Sequence, residues 1–370
     1  MNQKEIIRIS LIGDVFPGEL AYTENYGIRS QFKRHKGTPW INKIKNLTGD
    51  NDLLIGNLES PLVEEKNTIK RTFYGHPNFA SFLKTSGVNL LNVANNHILE
   101  QGPDGFRNTL NILNKSELDV VGYIEDKKSK IIYKSIKGLK IAIAGFSNVD
   151  LQVIQNDNHF AVLNENNVLT ALKEMNDQKA DLKILCFHWG NEYVHIPSME
   201  QRKMAYKFID HGADIIAGHH SHVIQPYEKY KDGHIFYSLG NFMFDYIHSE
   251  MVSIGLIASI EVDLKKQIKI NLNGVKLSYK ETVTSIPADK FLKYYSKIIN
   301  QYDKFIKLSD TEYRNQYIKL HKKNRFQRRI AMKLSLFSEF IRIEPKDRSY
   351  LINNLFTYYY NTFKRVINLK

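Results

Sequence analysis

The sequence predicts an α/β fold, and three observations predict it. Short apolar, β-rich runs alternate with helix-like segments, the pattern of layered strands and helices. Polar residues suited to binding or catalysis recur just past the C-terminal ends of those runs, the edge at which open α/β sheets usually take ligands. The basic charge is concentrated at one end. Residues 279–370 hold 20 Lys and Arg against 8 Asp and Glu, whereas the preceding 278 residues balance at 32 against 31. This separates a neutral body from a cationic C-terminal region.

The elements follow in order. Residues 6–13 form a buried-strand candidate ending at Gly13-Asp14, residues 52–58 a second ending at Glu59, and residues 88–94 a third ending at Asn95-Asn96-His97. Residues 139–145 and 182–187 are further strands, the latter ending at His188, and 213–217 leads into Gly218-His219-His220-Ser221-His222. Helix-like segments lie at 77–86, 103–115, 165–178 and 198–211. From 235 to 278 strands return (235–239, 254–262, 268–277), the last interrupted by Asn271 and Asn273-Gly274. Beyond Pro287 the chain becomes helical in character and rich in Lys, Arg and Tyr. The division expected is a domain over 1–280 and a basic, Tyr-rich helical region over 287–370.

Composition excludes several classes. With 42% hydrophobic and 25% charged residues, the chain reads as globular and not disordered. One cysteine forms no internal disulfide. No run of about 18 apolar residues spans a membrane, and Met1-Asn2-Gln3-Lys4-Glu5 lacks the pattern of a secretory signal. The expectation is a cytoplasmic chain, with peripheral attachment at a membrane surface through the C-terminal region.

The strand-end set is Asp14, Glu59, Asn96, His97, His188, His220 and His222. Carboxylates, an amide oxygen and imidazoles together suit a divalent metal of intermediate hardness, Mn²⁺, Fe²⁺ or Zn²⁺. A single such histidine is more often a packed core residue than a ligand. Seven such residues at successive strand ends argue for a site.

The motifs, in order, are Gly13-Asp14-Val15-Phe16-Pro17-Gly18, Asn57-Leu58-Glu59-Ser60-Pro61, Ala94-Asn95-Asn96-His97, His188-Trp189-Gly190-Asn191-Glu192-Tyr193, Gly218-His219-His220-Ser221-His222-Val223 and Tyr237-Ser238-Leu239-Gly240-Asn241-Phe242. From about residue 6 to 262 they resemble the CapA family of capsule and poly-γ-glutamate synthesis proteins, itself similar to the calcineurin-like metallophosphoesterases. The resemblance implies a four-layer β-sandwich flanked by helices. It also implies roles. Asp14 would ligate one metal, Glu59 would bridge two, and Asn96, His188 and His220 would complete the second. His222 would reach back to the first, and His97 would stay off the metal and protonate the leaving group. Two ions about 3.5–4 Å apart stabilise both the attacking and the leaving oxygen of an in-line displacement, and an imidazole supplies the proton near neutral pH.

Three positions depart from the pattern. Phe16 sits where the wider superfamily carries a histidine, Glu59 replaces an aspartate, and Glu100 stands where the family has an aspartate after its Asn-Asn-His motif. The first metal is left with three protein ligands, which suffices for a catalytic metal with water in the fourth place. A one-metal site, or a site that binds without turnover, stays open. Secondary candidates for substrate contact are Glu192, Asn241 and Arg71, the last through bidentate grip of an oxyanion. His219 reads as a supporting residue and Cys186 as core; His76, His195, His234 and His248 read as structural.

In the basic region, Lys319, Lys322, Lys323, Arg325, Arg328, Arg329 and Lys333 would spread over a helix carrying an apolar stripe of Ile318, Phe326, Ile330 and Leu334. Leu351, Leu355, Phe356, Tyr359 and Phe363 would form a second apolar face. Packing of two helices on the body is one reading; attraction to an anionic lipid surface, to synthase subunits or to an anionic polymer is the other. No nucleic-acid-binding motif is present. The function expected is a metal-dependent phosphoester hydrolase in making or trimming an anionic surface polymer; the alternative is a non-catalytic accessory subunit of a polymer synthase.

Overall fold

The computed structural model describes residues 6–149, 159–245, 249–278 and 282–342, together with 348–349, 352–353 and 355–357. In the last long helix the side chains are described as far as residue 330, apart from 329.

Strand β1 (Ile7–Val15) organises the first sheet. It pairs in parallel with β2 (Leu53–Leu58), which continues through β3 (Leu90–Asn92) to β4 (Asp119–Val121). A small hairpin of β5 (Ile124–Glu125) and β6 (Lys128–Ser129) follows. The second sheet is built from β7 (Ile131–Ile136), β8 (Leu139–Ser147), β9 (Leu182–His188), β10 (Ile215–His219), β11 (Tyr227–Tyr230) and β12 (Gly233–Phe236). Its order is β11-β12-β10-β9-β8-β7. The chain then returns to the first sheet as β13 (Asn241–Met243), β14 (Ile254–Val262), β15 (Ile268–Ser278) and β16 (Thr282–Ser285), giving the order β16-β15-β14-β1-β2-β3-β4, with β13 beside β1.

The alternation of side chains along each strand sorts them into layers. Ile9 and Leu11 of β1, Leu53 and Ile55 of β2, Ile141 and Ile143 of β8, and Ile184 and Cys186 of β9 share one buried cluster between the sheets. The intervening Ile12, Leu54 and Leu58 face outward, onto α1 (Ile28–His35), α2 (Thr38–Thr48), α3 (Phe79–Thr85) and α4 (Gly102–Lys115), through Phe32, Trp40, Phe79 and Leu113. On the other side, Ala142, Ala144 and Phe187 meet α5 (Glu165–Asp177) and α6 (Met199–Asp210) through Leu172 and Phe208. The result is the expected helix, sheet, sheet, helix sandwich. Each fully buried aliphatic or aromatic side chain contributes about 1.5–3 kcal/mol to it.

Several elements differ from the sequence reading. Helices α1 and α2 stand in a stretch that gave no helical signal. The strand expected over 235–239 ends at Phe236. The last expected strand runs unbroken from Ile268 to Ser278. Asn271 and Asn273 lie on its exposed side, and Gly274 is the place where Phe291 packs, which a side chain would obstruct. A short helix, α7 (Glu250–Ser253), precedes β14.

The basic region packs on the body, but not through the expected stripe. Helix α8 (Ala288–Phe305) buries Phe291, Tyr295 and Ile298 in the inter-sheet core and Tyr302 and Phe305 in the second outer core. Its Tyr302 joins Tyr206 and Tyr237 in donating to the Glu228 carboxylate. Helix α9 (Asp310–Arg342) turns Tyr313, Tyr317 and Asn324 inward. Ile318, Phe326 and Ile330 are 50%, 65% and 45% exposed, so the four-residue stripe is the outer face. The body-facing side is instead polar-aromatic: Tyr313 and Tyr317 join the second outer core through their rings and meet the loop after β9 through their hydroxyls. The Leu334 side chain and residues 351, 359 and 363 lie outside the described residues; Leu355 packs near Phe16 and Phe244, and Phe356 is exposed.

Candidate metal centre

The site forms where the C-terminal edges of both sheets meet. Asp14 lies at an irregularity of β1, where the pairing register shifts on either side of it. Such bulges re-aim a side chain. Gly13 permits this: a Cβ there would collide with the Gly240 carbonyl, to which Asp14 N donates at 2.9 Å. Glu59 follows β2, held by its N–H to Val15 O at 2.9 Å. His188 is the last residue of β9, and His220 and His222 follow β10. His220 (φ 89°) and His222 (φ 55°) are both left-handed, a costly conformation away from glycine that is retained where structure over-determines it.

The cluster is dry. Asp14, Glu59 and His188 are fully buried, and His220 and His222 are 5% and 1% exposed. Ligand-capable atoms of Glu59, His220 and His222 lie within 4.8 Å of one another, as do those of Asp14, Glu59 and His188. Glu59 belongs to both groups. Its Oε1 is 3.7 Å from His222 Nε2, 3.9 Å from His188 Nε2 and 4.0 Å from His97 Nε2. His222 also approaches Asp14, at 3.7 Å through Nδ1. Asn96 Oδ1 lies 2.9 Å from His188 Nε2. All six residues expected as ligands, and His97, are therefore brought together.

The two carboxylates are treated differently. Asp14 receives hydrogen bonds from Asn57 Nδ2 at 2.8 Å and from the His220 N–H at 3.3 Å, and His219 Nδ1 lies 3.1 Å away. Burial works to raise its pKa, but His219, His222 and Asn57 outweigh burial and hold it below the ordinary value. Glu59 accepts no hydrogen bond at either oxygen. Burial, then the charges of Asp14 and Glu192, push its pKa well above the ordinary value. A buried anion without donors is costly, and a divalent cation between Glu59 and the imidazoles removes that cost. Burial and mutual repulsion hold His188 well below the ordinary histidine pKa, and burial holds His220 at about 4. Both are then neutral at pH 7, the state in which imidazole binds metal. The donor set fits a divalent metal.

His97 stands at the rim. Its Nδ1 is 3.3 Å from Glu100 Oε1 and its ring stacks on Phe73 at 4.4 Å. Burial would raise Glu100, but the His97 and Lys70 contacts prevail and bring it to about 2. Phe16 is fully buried, stacked on Phe244 at 4.6 Å and edge-on to Phe73 at 5.4 Å. Phe244 in turn meets the His222 ring edge-on at 4.8 Å. Phe16 is thus one side of an aromatic wall that reaches the His222 ring through Phe244.

The substrate-contact candidates separate. Glu192 stands part-exposed beside the cluster, its Oε1 4.0 Å from His222 Nε2. Asn241 is fully buried, faces His222 Nδ1 at 3.0 Å and donates to Val252 O at 3.0 Å. It orients His222, and its amide N–H groups go to Val252 O and His222 O. Arg71 is not drawn into the cluster. Its side chain is 87% exposed and pairs with Glu24 at 3.2 Å, since the loop carrying it faces solvent.

Sequence reasoning missed Asn57 and Asn92. Asn92 Nδ2 donates to Asn57 Oδ1 at 3.0 Å, which leaves Asn57 Nδ2 for Asp14. The signal was present for Asn57: two residues before Glu59, it belongs on the same side of its strand.

Known proteins match this chain over the part that holds the cluster. "Capsule biosynthesis protein CapA" of Bacillus anthracis is 32% identical over 260 residues, covering 66% of this chain and 61% of that protein. "PGA biosynthesis protein CapA" of Bacillus subtilis (strain 168) is 34% identical over 257 residues, covering 65% of this chain and 64% of that protein. The match thus spans just under two thirds of those relatives' length. Among solved structures, a 5'-nucleotidase precursor from Thermus thermophilus overlays 81% of this chain and 59% of its own, at 13% identity and a TM-score of 0.46; nothing about chemistry follows from an overlap that loose. The model of the family described as bacterial capsule synthesis protein PGA_cap matches residues 8–246, a span that contains every residue of the cluster, and the chain belongs to that family.

Proposed function

We propose that this chain is a divalent-metal-dependent phosphoester hydrolase serving the synthesis or trimming of an anionic capsule polymer, a polysaccharide or poly-γ-glutamate. The observation that carries the reading is Glu59, a buried carboxylate with no hydrogen-bond donor, aimed at His188, His220 and His222. Asp14, Glu59, Asn96, His188, His220 and His222 would hold one or two ions of Mn²⁺, Fe²⁺ or Zn²⁺. When bound, such ions activate water and polarise the phosphoryl oxygens.

The chain's own residues supply the rest. Asn57 and His219 keep Asp14 ionised and oriented. Asn241 fixes the His222 ring through Nδ1, leaving Nε2 toward Glu59 and Glu192. Glu100 accepts from His97 Nδ1 and Phe73 clamps the ring, which turns Nε2 toward the cluster, 3.2 Å from Asn96 Nδ2; as general acid the ring would have to carry protons on both nitrogens, Nε2 giving its own to the departing oxygen. General acid catalysis of this kind is worth about 10²–10⁴-fold. The test is hydrolysis of bis(p-nitrophenyl) phosphate by protein reconstituted with Mn²⁺. His97→Ala is expected to lose at least about 100-fold in kcat with bound metal unchanged. An unchanged rate, at unchanged metal content, would sink the hydrolytic mechanism.

A second reading has its own observation. Phe16, Phe73 and Phe244 fill the side of the site where an additional imidazole would stand. A metal-binding accessory subunit of a polymer synthase fits that wall equally well. Metal retention without hydrolysis of any phosphoester, together with co-purification of synthase subunits, is its expected outcome.

A further inference from the structure

Helix α9 has two unlike sides. Tyr313, Tyr317 and Asn324 face inward. The tyrosine rings enter the second outer core, Tyr313 Oη donates to Pro197 O at 2.7 Å, and Asn324 Nδ2 donates to Tyr193 O at 2.8 Å. The opposite side carries Ile318, Lys322, Phe326 and Ile330, four residues apart and hence stacked along one face. Ile318, Phe326 and Ile330 are 50%, 65% and 45% exposed, and Lys319, Lys322, Lys323 and Arg325 around them are exposed as well. Between Glu312 and Glu339 the sequence holds eight Lys and Arg and no acidic residue.

We propose that this outer face of α9 docks on the surface of an anionic lipid bilayer, with Ile318, Phe326 and Ile330 seated at the boundary of the acyl chains and the lysines among the lipid phosphates. Three points carry it. The first is charge complementarity: a stretch of one sign is drawn to an anionic leaflet, and each Lys or Arg near it adds attraction. The second is the mixture of side chains. Lysine stems lie along apolar surface while their ammonium groups reach headgroups or water, so Ile and Phe interleaved with Lys suit the interfacial layer of a bilayer. A protein partner would bury those lysines at the centre of an interface, where Lys is depleted. A hydrated anionic polymer would leave Phe326 in water. The third is rigidity. Tyr313, Tyr317 and Asn324 pin the helix to the body, so binding does not have to order the face it uses. A docked α9 lies between the lipid surface and the loop that carries Glu192. Docking of this kind is independent of the chemistry at the metal centre.

The experiment is co-sedimentation of the full chain with vesicles of equimolar phosphatidylglycerol and phosphatidylcholine, and with vesicles of phosphatidylcholine alone. Wild type is compared with Phe326→Ser, Phe326→Leu, Lys322→Gln and Lys45→Gln. Lys45 is an exposed lysine on α2, on the opposite side of the sandwich, and its loss changes the net charge equally. Wild type is expected to sediment with the anionic vesicles and to stay in solution with the neutral ones. Phe326→Ser is expected to lower the partition coefficient by about tenfold or more, and Lys322→Gln by roughly fivefold. Lys45→Gln is expected to leave it unchanged. No sedimentation of the wild type with anionic vesicles overturns the proposal, as does equal sedimentation with both kinds. Wild-type binding by Phe326→Ser, or an equal loss in Lys45→Gln, overturns it too, because either would mean diffuse attraction of charge. Phe326→Leu separates lost apolar contact from misfolding. It is expected to bind like wild type, and a loss equal to that of Phe326→Ser contradicts the assignment.

Discussion

The two carboxylates at the centre of this protein occupy equally dry places and meet opposite fates. Asp14, on β1, is surrounded by donors from Asn57, His219 and the His220 backbone. Glu59, after β2, has none. Burial alone would raise both pKa values; donors lower the first and the second stays high. The difference teaches what each is for. Asp14 is an anion that the fold has already accommodated, whereas Glu59 is an anion the fold leaves for a cation to accommodate.

Four variants break or sharpen that contrast. Glu59→Gln should have the largest effect, removing more than about 100-fold of metal affinity, above what loss of a supporting contact costs. The metal-free variant should melt higher than metal-free wild type, because Gln removes a carboxyl that folding penalises, as its raised pKa shows. Asp14→Asn should also weaken metal binding, but with the opposite effect on the metal-free protein: it replaces an acceptor of several donors and should destabilise by about 1–3 kcal/mol. Equal signs in the two melting experiments would dissolve the comparison. Asn57→Ala should reduce metal affinity by about 10–100-fold through Asp14 alone, measured by competition with a chelating dye.

The remaining effect, outside the metal centre, concerns a third buried acid. Asp245 accepts from Ile28 N at 2.9 Å and from the Thr23 hydroxyl, yet burial and the nearby Glu19 push its pKa up to about 7. The folded state therefore binds this proton more tightly than the unfolded chain. Its contribution to stability is complete below about pH 4 and is lost as pH rises to about 7. Asp245→Asn should flatten that part of the melting-temperature profile of the metal-free protein between those limits; an unchanged slope there would remove the assignment.

Most of the site was legible in the sequence because its residues stand at strand ends, where an apolar run stops and a polar residue must face the sheet edge. The three histidines, Asp14, Glu59 and the Asn96-His97 pair are all of that kind. What was not legible depends on contacts between distant segments. Asn57 gains its meaning from Asn92 and Asp14, each on another strand. Asn241 serves His222 because β13 joins β1 in parallel, a pairing that no local pattern announces. The four-residue stripe on α9 misled for the same reason. The buried side is set by Tyr313 and Tyr317, whose rings join the second outer core while their hydroxyls meet the loop of Asn191 and Pro197, and tyrosines do not enter an aliphatic stripe.

The most direct test of the central claim is metal content per chain by elemental mass spectrometry. Protein is purified without chelator and measured again after reconstitution with Mn²⁺, wild type beside Glu59→Gln. Stoichiometric metal in the wild type, one or two ions per chain, and near-complete loss in Glu59→Gln is the predicted result. A wild type that takes up no metal, or a Glu59→Gln variant that retains as much as the wild type, would contradict the assignment of Glu59 as the carboxylate that awaits a cation.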